Sequence, residues 1–422
     1  MKLVRRRLGD IAQIVGGATP STKISEYWDG GIPWITPKDL SGFDGIYIEY
    51  GSRSISQDGL EHCSAKMLPP GTVLYTSRAP IGYVAIATVP VTTNQGFKSL
   101  VLNVGYVPEY IYYLLKFSKS KIESYSSGGT FAEISANALA EVELDFPDEK
   151  HQRAIAEVLL NLDHKIQANQ NLSKTLEEIA QTIFKSWFID FDPVKAKMAG
   201  EKPVGMDDAT ATLFPDSMED SELGPIPRGW KVESLSDIGE FRNGLAMQKF
   251  PVVDDEYVLP VIKIAQLRAG NTVGADMASG LIDPKFVISD GDILFSWSGT
   301  LEIEHWAGGQ GALNQHLFKV LGKTVPDWFI YFSSRNHLPE FRRIATGKAT
   351  TMGHIQRGHL AEAKVAVPPV AFSDSIGELF SALVSEKVAL VVQNRTLAGI
   401  RDSLLPRLIS GELQIPEEML VS

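Results

Sequence analysis

The feature that most constrains this chain is that it repeats itself. "LGDI" at Leu8–Ile11 returns as "LSDI" at Leu235–Ile238, and the same offset of 227 pairs "IPWITPKDL" (Ile32–Leu40) with "LPVIKIAQL" (Leu259–Leu267). At an offset of 220, "PGTVLYTSR" (Pro70–Arg78) meets "DGDILFSWS" (Asp290–Ser298), and "VTTNQGFKSLVLN" (Val91–Asn103) meets "GALNQHLFKVLG" (Gly311–Gly322). "VPEYIYYLL" (Val107–Leu115) matches "VPDWFIYFS" (Val325–Ser333) at 218, and "ISANALAEVELDFP" (Ile134–Pro147) matches "IQRGHLAEAKVAVP" (Ile355–Pro368) at 221. The order is colinear and the offset drifts by only a few residues, as loop insertions produce. A unit of about 220 residues is too long for a solenoid repeat and fits two homologous domains.

Each unit opens with a strand-rich part, in which short β-branched and aromatic runs ("GIYIEY", "TVLYTS", "YVAIATV", "DILFSW") alternate with Gly, Pro, Asp and Asn. A helical stretch and a Gly-bearing loop follow ("SSGGT"; "TGKAT"), with Gly129 and Gly347 read as turn residues. Each unit closes with one long helix. Leu159, Leu162, Ile166, Asn169, Leu176 and Ile183 recur at steps of 3 and 4 or their sums, the seam of a coiled coil. In the second copy the seam reads Phe380, Leu383, Leu390, Asn394, Leu397 and Leu404, with Lys387 and Arg401 interrupting it. Asn169 and Asn394 are candidates for a register-setting pair.

The expected fold is therefore α+β. Two homologous strand-rich domains (1–148 and 229–368) are separated by two long helices (149–190, and 369–422 with the C-terminal tail). The helices form an antiparallel coiled coil with pseudo-two-fold symmetry. Residues 191–228, rich in Pro, Gly, Asp and Ser, read as an exposed linker. A helix of about 40 residues spans roughly 60 Å, enough to hold two modules at least one DNA turn apart, about 34–36 Å.

Composition narrows the class. Apolar and charged contents of 44% and 22% are ordinary for a globular protein. No apolar run reaches the roughly 18 residues of a membrane span, and no secretory signal follows the basic N-terminus, so no membrane association and a cytoplasmic location are expected. Cys63 is the single cysteine, which excludes an internal disulfide or a thiolate cluster. The net charge of −11 gives no support for nucleic-acid binding by itself. Residues 1–150 nevertheless carry 14 Lys and Arg against 16 Asp and Glu, so the large blocks are close to balanced.

The ordered set of motifs resembles the specificity subunit of type I restriction-modification enzymes. The pieces that carry the resemblance are "GGATPS" (Gly16–Ser21), "IPWITPKDL", "GTVLYTSRAPIGYVAI", "TTNQGFKSLVL", "DEKHQRAIAEVLLNLDHKIQANQNLSKTLEEIAQTIFKSWF" and "LLPRLISGEL". The resemblance implies two target-recognition domains that read the halves of a split double-stranded DNA target, with the helices as a ruler. It implies as partners methyltransferase (modification) subunits and restriction/translocase subunits, two of each. S-adenosylmethionine, ATP and Mg2+ would act in those partners, with no cofactor in this chain. One departure is visible: "FPDEKHQR" before the first helix becomes "VPPVAFSDS" before the second, which lacks the Gln.

Catalytic signatures are missing. There is no GxxxxGK[ST] loop to wrap phosphates, no Asn/Asp-Pro-Pro-aromatic turn and no metal-ligand spacing. The chain reads as non-catalytic, with no metal. Candidate DNA contacts are side chains with paired donors and acceptors, or cations, in divergent loops. In the first domain these are Thr19, Ser21, Thr22, Lys23, Lys38, Ser77, Arg78 and Thr130. In the second they are Lys263, Gln266, Trp297, Ser298, Arg342, Arg343, Lys348, Thr350 and Arg357. Against this stand plain alternatives: an ordinary solvated turn at 19–23, a carboxylate partner for Arg78, a solvated helix face for the arginines. Asn94, Gln95, Asn314 and Gln315 are identical in two domains expected to read different sequences, so a structural role in a turn is favoured for them. A duplicated scaffold joining protein partners without touching DNA is the competing reading, supported by the acidic pI of about 5.3.

Overall fold

The structure, a computed structural model, describes residues 1–127, 132–253, 257–347 and 353–420. It divides into two compact units, Met1–Gln167 with Leu397–Ser422, and Ala168–Thr396.

In unit 1 the strands are β1 (Val4–Arg7), β2 (Ala12–Gly16), β3 (Trp28–Ile35), β4 (Tyr47–Ile48), β5 (Arg53–Ile55), β6 (Val73–Ser77), β7 (Ile81–Ala87), β8 (Thr92–Thr93), β9 (Lys98–Leu102) and β10 (Glu143–Phe146). They form a five-stranded sheet ordered β2-β9-β6-β7-β4, a three-stranded sheet β5-β3-β8 and the pair β1-β10. β6 is buried along its whole length, as "VLYTS" at the centre of a sheet covered on both faces should be. Helix α1 (Pro108–Phe117) starts with Pro at its first position and packs Tyr110, Ile111, Leu114 and Leu115 into the core.

Unit 2 repeats this plan. Its strands are β11 (Met218–Ser221), β12 (Gly224–Pro227), β13 (Lys231–Ser234), β14 (Gly239–Asn243), β15 (Val258–Ile262), β16 (Met277–Ser279), β17 (Val287–Ile288), β18 (Ile293–Ser296), β19 (Ile303–His305), β20 (Gly311–Leu313), β21 (Leu317–Gly322) and β22 (Lys364–Val367). The order β14-β21-β18-β19 reproduces β2-β9-β6-β7, and β13-β22 reproduces β1-β10. The parallel pairing of β15 with β20 matches that of β3 with β8. The duplicated sequence thus folds as a duplicated topology, in the α+β class expected.

Two long helices complete the units: α2 (Glu149–Phe184), continued by a π-turn at Lys185–Ile189, and α4 (Val370–Ile409), with α3 (Asp327–Gly347) between them in sequence. Every seam residue named above is buried or half-buried, while Leu172, Ile179, Leu379 and Ile400, off the seam, are exposed. Within unit 2, Asn169 lies against Gln393 and Asn394, and Glu177 against Lys387. The partner's number falls as the first rises, so the helices run antiparallel. Lys387 and Arg401 do not loosen the seam. Lys387 Nζ sits 2.7 Å from Glu177 Oε2, and in unit 1 Arg401 Nη1 sits 2.6 Å from Asp163 Oδ1.

The stretch 191–228 differs from its compositional reading. It folds into short helices Asp192–Met198 and Asp208–Leu213 and the hairpin β11–β12, and it buries Val194, Phe214 and Ile226, with Trp230 just beyond, in the core of unit 2. Its few large apolar residues are enough to anchor it, because each of them removes much apolar area from water.

Candidate nucleic-acid interface

In the first domain the loop after β2 is anchored by its glycine and by two indoles. A Cβ at Gly17 would fall 2.1 Å from Asn94 O and 2.3 Å from Thr93 O, so only glycine fits there. Ala18 N donates to Thr93 O, Trp34 Nε1 to Ala18 O (3.0 Å) and Trp28 Nε1 to Ser21 O (3.2 Å). The Arg53 guanidinium lies 3.5 Å over the Trp28 ring, a cation–π contact that braces the same wall. On this base Thr19, Ser21, Thr22 and Lys23 are all exposed. Asn94 Oδ1 accepts from Gly96 N at 2.8 Å, an Asx turn, and so is structural. Gln95 is different: it is exposed and accepts a hydrogen bond from the Thr19 hydroxyl, which places it in the candidate surface.

Beside this loop, Glu133 carries two cations, Arg78 and Lys98, each at 3.4 Å. Arg78 therefore has the carboxylate partner that was its plain alternative. Ser77 is fully buried and donates to Gly96 O, so it drops out of the exposed set. Lys38 is exposed. A cleft of about 560 Å³ opens between Arg78, Pro80, Glu123, Ser126 and Glu133.

The second domain builds the same base with other chemistry. A Cβ at Gly244 would fall 2.3 Å from Asn314 O and 2.4 Å from Leu313 O, the counterpart of Gly17. Asn314 Oδ1 accepts from His316 N at 3.2 Å, repeating the Asn94 turn. Where the first domain has the Arg78–Glu133–Lys98 cluster, the second has aromatic rings. Half-buried Trp297 donates its Nε1–H to Gln315 O, and its ring lies 5.7 Å from that of His316 and 6.4 Å from that of His354. Ser298 is buried against His316 Nδ1 (3.2 Å). The chain returns to each site in the same way, Ile134 N donating to Ser77 O and Ile355 N to Trp297 O.

Gln266 is mostly buried and accepts from Lys263 N, a helix-capping role that its counterpart Asp39 plays toward Thr36 N. Burial works to raise the Asp39 carboxyl, but hydrogen bonds from Thr36 and Ser52 outweigh it and hold it below the usual range. Lys263 is paired with Asp276. The arginine cluster is partly engaged: Arg342 Nε donates to Leu301 O, Arg343 pairs with Glu340, and Arg357 stands exposed at the start of helix Arg357–Glu362. Thr130, Lys348 and Thr350 lie outside the described residues, as does Gly129. Sequence reasoning assigned Gln95 to a structural turn and passed over Lys98, Glu133, His316 and His354. Only His316, standing where the first copy has Gly96, left a visible signal.

Among the described residues no group of three or more His, Cys, Asp or Glu is placed to hold a metal ion. None of the described helices is long and apolar enough to cross a membrane.

Comparison with known proteins agrees with this layout. The family model described as the type I restriction modification DNA specificity domain matches twice, over residues 2–178 and 227–395. The type I restriction enzyme MjaIX specificity subunit of Methanocaldococcus jannaschii is 34% identical, over 98% of this chain and 94% of that protein. The HindI specificity subunit of Haemophilus influenzae is 25% identical, over 73% and 78% respectively. The crystal structure of a type I restriction-modification S subunit from M. genitalium shares the fold at a TM-score of 0.54 and 15% identity, over 97% of this chain and 96% of that one. With two matched domains, a relative this close over nearly its full length, and the same duplicated topology, the chain belongs to the family of type I restriction enzyme specificity subunits.

Proposed function

We propose that this chain is the DNA-reading subunit of a type I restriction-modification enzyme, and that its two loop surfaces read the two halves of a split target. The surface around Thr19, Lys23 and Gln95 reads one half, and that around Trp297, Gln315 and His316 the other. The observation that carries the reading is divergence on a shared scaffold. Gly17 and Gly244, and Asn94 and Asn314, hold equivalent turns, while the side chains presented beside them change from charged to aromatic. Gln and Lys offer donors and acceptors to base edges and phosphates, and an indole edge or an imidazole supplies a different pattern. Such loops set specificity; they carry no catalytic chemistry. Methylation and cleavage belong to methyltransferase and restriction subunits bound to this one, two of each, and S-adenosylmethionine, ATP and Mg2+ act there. Nothing in the comparisons favours the scaffold that never touches DNA.

The test is single-molecule sequencing of modified adenine in cells carrying the chain with its methyltransferase, and then with residues 1–148 exchanged for those of a relative. A split motif that depends on the chain, and of which the exchange alters one half only, is the expected result. A motif changed in both halves, or no chain-dependent motif, overturns it.

A further inference from the structure

The paired helices of each unit carry largely buried ion pairs, and in both the charges are one-sided. In unit 1, α2 supplies the acid and α4 the base: Asp163 Oδ1 meets Arg401 Nη1 at 2.6 Å, and Tyr113 donates its hydroxyl to Asp163 Oδ2 at 2.5 Å. In unit 2 the division is the same, with Glu177 from α2 and Lys387 from α4 at 2.7 Å, and Tyr331 donating to Glu177 at 3.0 Å. Tyr113 and Tyr331 are equivalent in the duplication, at the offset of 218. The charges are not. At the offset of 221 that relates the two helices, Asp163 corresponds to Val384, Glu177 to Ala398, Lys387 to Ile166 and Arg401 to Ala180. The amide contact follows the same rule. Asn169 Nδ2 donates to Gln393 and Asn394, whose counterparts are Leu172 and Ser173, while Asn169 itself corresponds to Leu390.

We infer that these residues form a pairing code that lets α2 pair only with an α4 and never with the α2 of a second copy of this chain. The apolar seam alone makes little such distinction, since both helices present mainly Leu at their apolar seam positions. In an α2–α2 pair of the same geometry, Asp163 would face Ala180 and Glu177 would face Ile166, leaving two carboxylates without cations. In an α4–α4 pair, Arg401 would face Val384 and Lys387 would face Ala398. These groups are largely withdrawn from water, with side-chain exposures of 14% for Asp163, 11% for Glu177, 12% for Lys387 and 23% for Arg401. An unpaired charge at such a depth is strongly disfavoured, so each pair discriminates by roughly a hundredfold. Combined with the proposed function, the code has a consequence at DNA. Like-with-like pairing would present two copies of one recognition domain and read a palindrome, whereas the code keeps two different readers together.

The test uses full-length chains with two different tags. One chain reverses α2 (Asp163→Arg, Glu177→Lys), a second reverses α4 (Lys387→Glu, Arg401→Asp), and a third carries all four changes. Arg335 faces Glu177 and Glu304 faces Lys387, so every chain, the parent included, carries Arg335→Gln and Glu304→Gln, which removes these two neighbours from the comparison. Each two-site variant alone is expected to melt lower than the parent and to lose its single molecular mass in light scattering. The four-site variant recovers both. Co-expression of the two-site variants yields a one-to-one complex of the two tags, in which each reversed helix meets its complement on the other chain. Two-site variants that behave like the parent overturn the code. So does a four-site variant no better than the two-site ones, or failure of the two tags to co-purify. None of these readouts involves DNA, so they fail or succeed independently of the DNA-reading proposal.

Discussion

The two units join a recognition domain to the helix pair by different means. In unit 1 the junction is a polar clamp on an aliphatic bed. Gln152, fully enclosed, accepts from Val107 N and donates to Pro147 O, both at 3.0 Å, above a layer of Ile155, Ala156 and Leu159. In unit 2 the position of Gln152 is taken by Ser373, and a cavity of about 430 Å³ opens there between Lys231, Lys323, Pro369 and Asp374. Aromatic rings do the joining instead. Phe380 stacks on Trp328 with centroids 4.4 Å apart, and Phe184, Phe188, Trp230 and Phe372 crowd around them. A directional clamp fixes orientation with two hydrogen bonds, whereas a packed aromatic slab relies on buried area and shape. The same topology therefore tolerates two unlike solutions at one joint, and the Gln missing from the second copy has been replaced by packing.

Breaking the slab has the largest expected effect. Phe380→Ala destabilises unit 2 by about 3–5 kcal/mol, read by denaturant unfolding and by hydrogen exchange on β14, β18 and β21, with β2, β6 and β9 left protected. Its counterpart Leu159→Ala acts on unit 1 in the reverse pattern. If either change loosens both units equally, the joints are not separate. The clamp comes next. Gln152→Ala leaves Val107 N–H buried without its acceptor and costs about 1–3 kcal/mol in unit 1, while Ser373→Ala costs unit 2 less, because the slab and not that position holds the joint.

The smallest effect separates the units by pH. Burial pushes the His305 imidazole down to about 3, with Lys387 and Arg335 adding to the shift, and its ring lies 4.0 Å from that of Tyr331. Its ordinary value is near 6.5, so between pH 6.5 and 3 the unfolded chain binds a proton that the folded one refuses. Stability from this group is complete well above pH 6.5 and falls as the pH drops through that window, by about 1.4 kcal/mol at pH 5.5. The loss should appear in unit 2 and vanish in His305→Phe.

How legible all this was depends on the range of the interaction. The duplication and the seam are local patterns, so Leu159, Asn169, Phe380 and Leu390 could be picked out by spacing alone. Lys387 and Arg401 read as defects because their partners, Glu177 and Asp163, lie on a different helix and no periodicity links them. The 191–228 segment misled through composition: Pro, Gly and Asp outnumber the few anchors, and it is the anchors that decide. At the candidate interface, Asn94 and Asn314 follow turn chemistry that any sequence displays. Gln95 was bracketed with them, although its neighbour's turn is what pushes it outward. Ser77, Gln266 and Ser298 look like surface polar residues, yet they satisfy interior backbone or side-chain groups.

Unit 1 is assembled from both ends of the sequence, whereas unit 2 is one uninterrupted stretch. Leu408 and Ile409 fill the core of the first domain, and Gly411 rests against Met1 and Leu3. During synthesis, domains close as their residues emerge from the ribosome. The second half can thus mature while the first, though translated earlier, still exposes the apolar groove that α4 will cover. A chain that stops before Leu397 leaves uncovered the apolar surface of the first domain on which Leu408 and Ile409 rest.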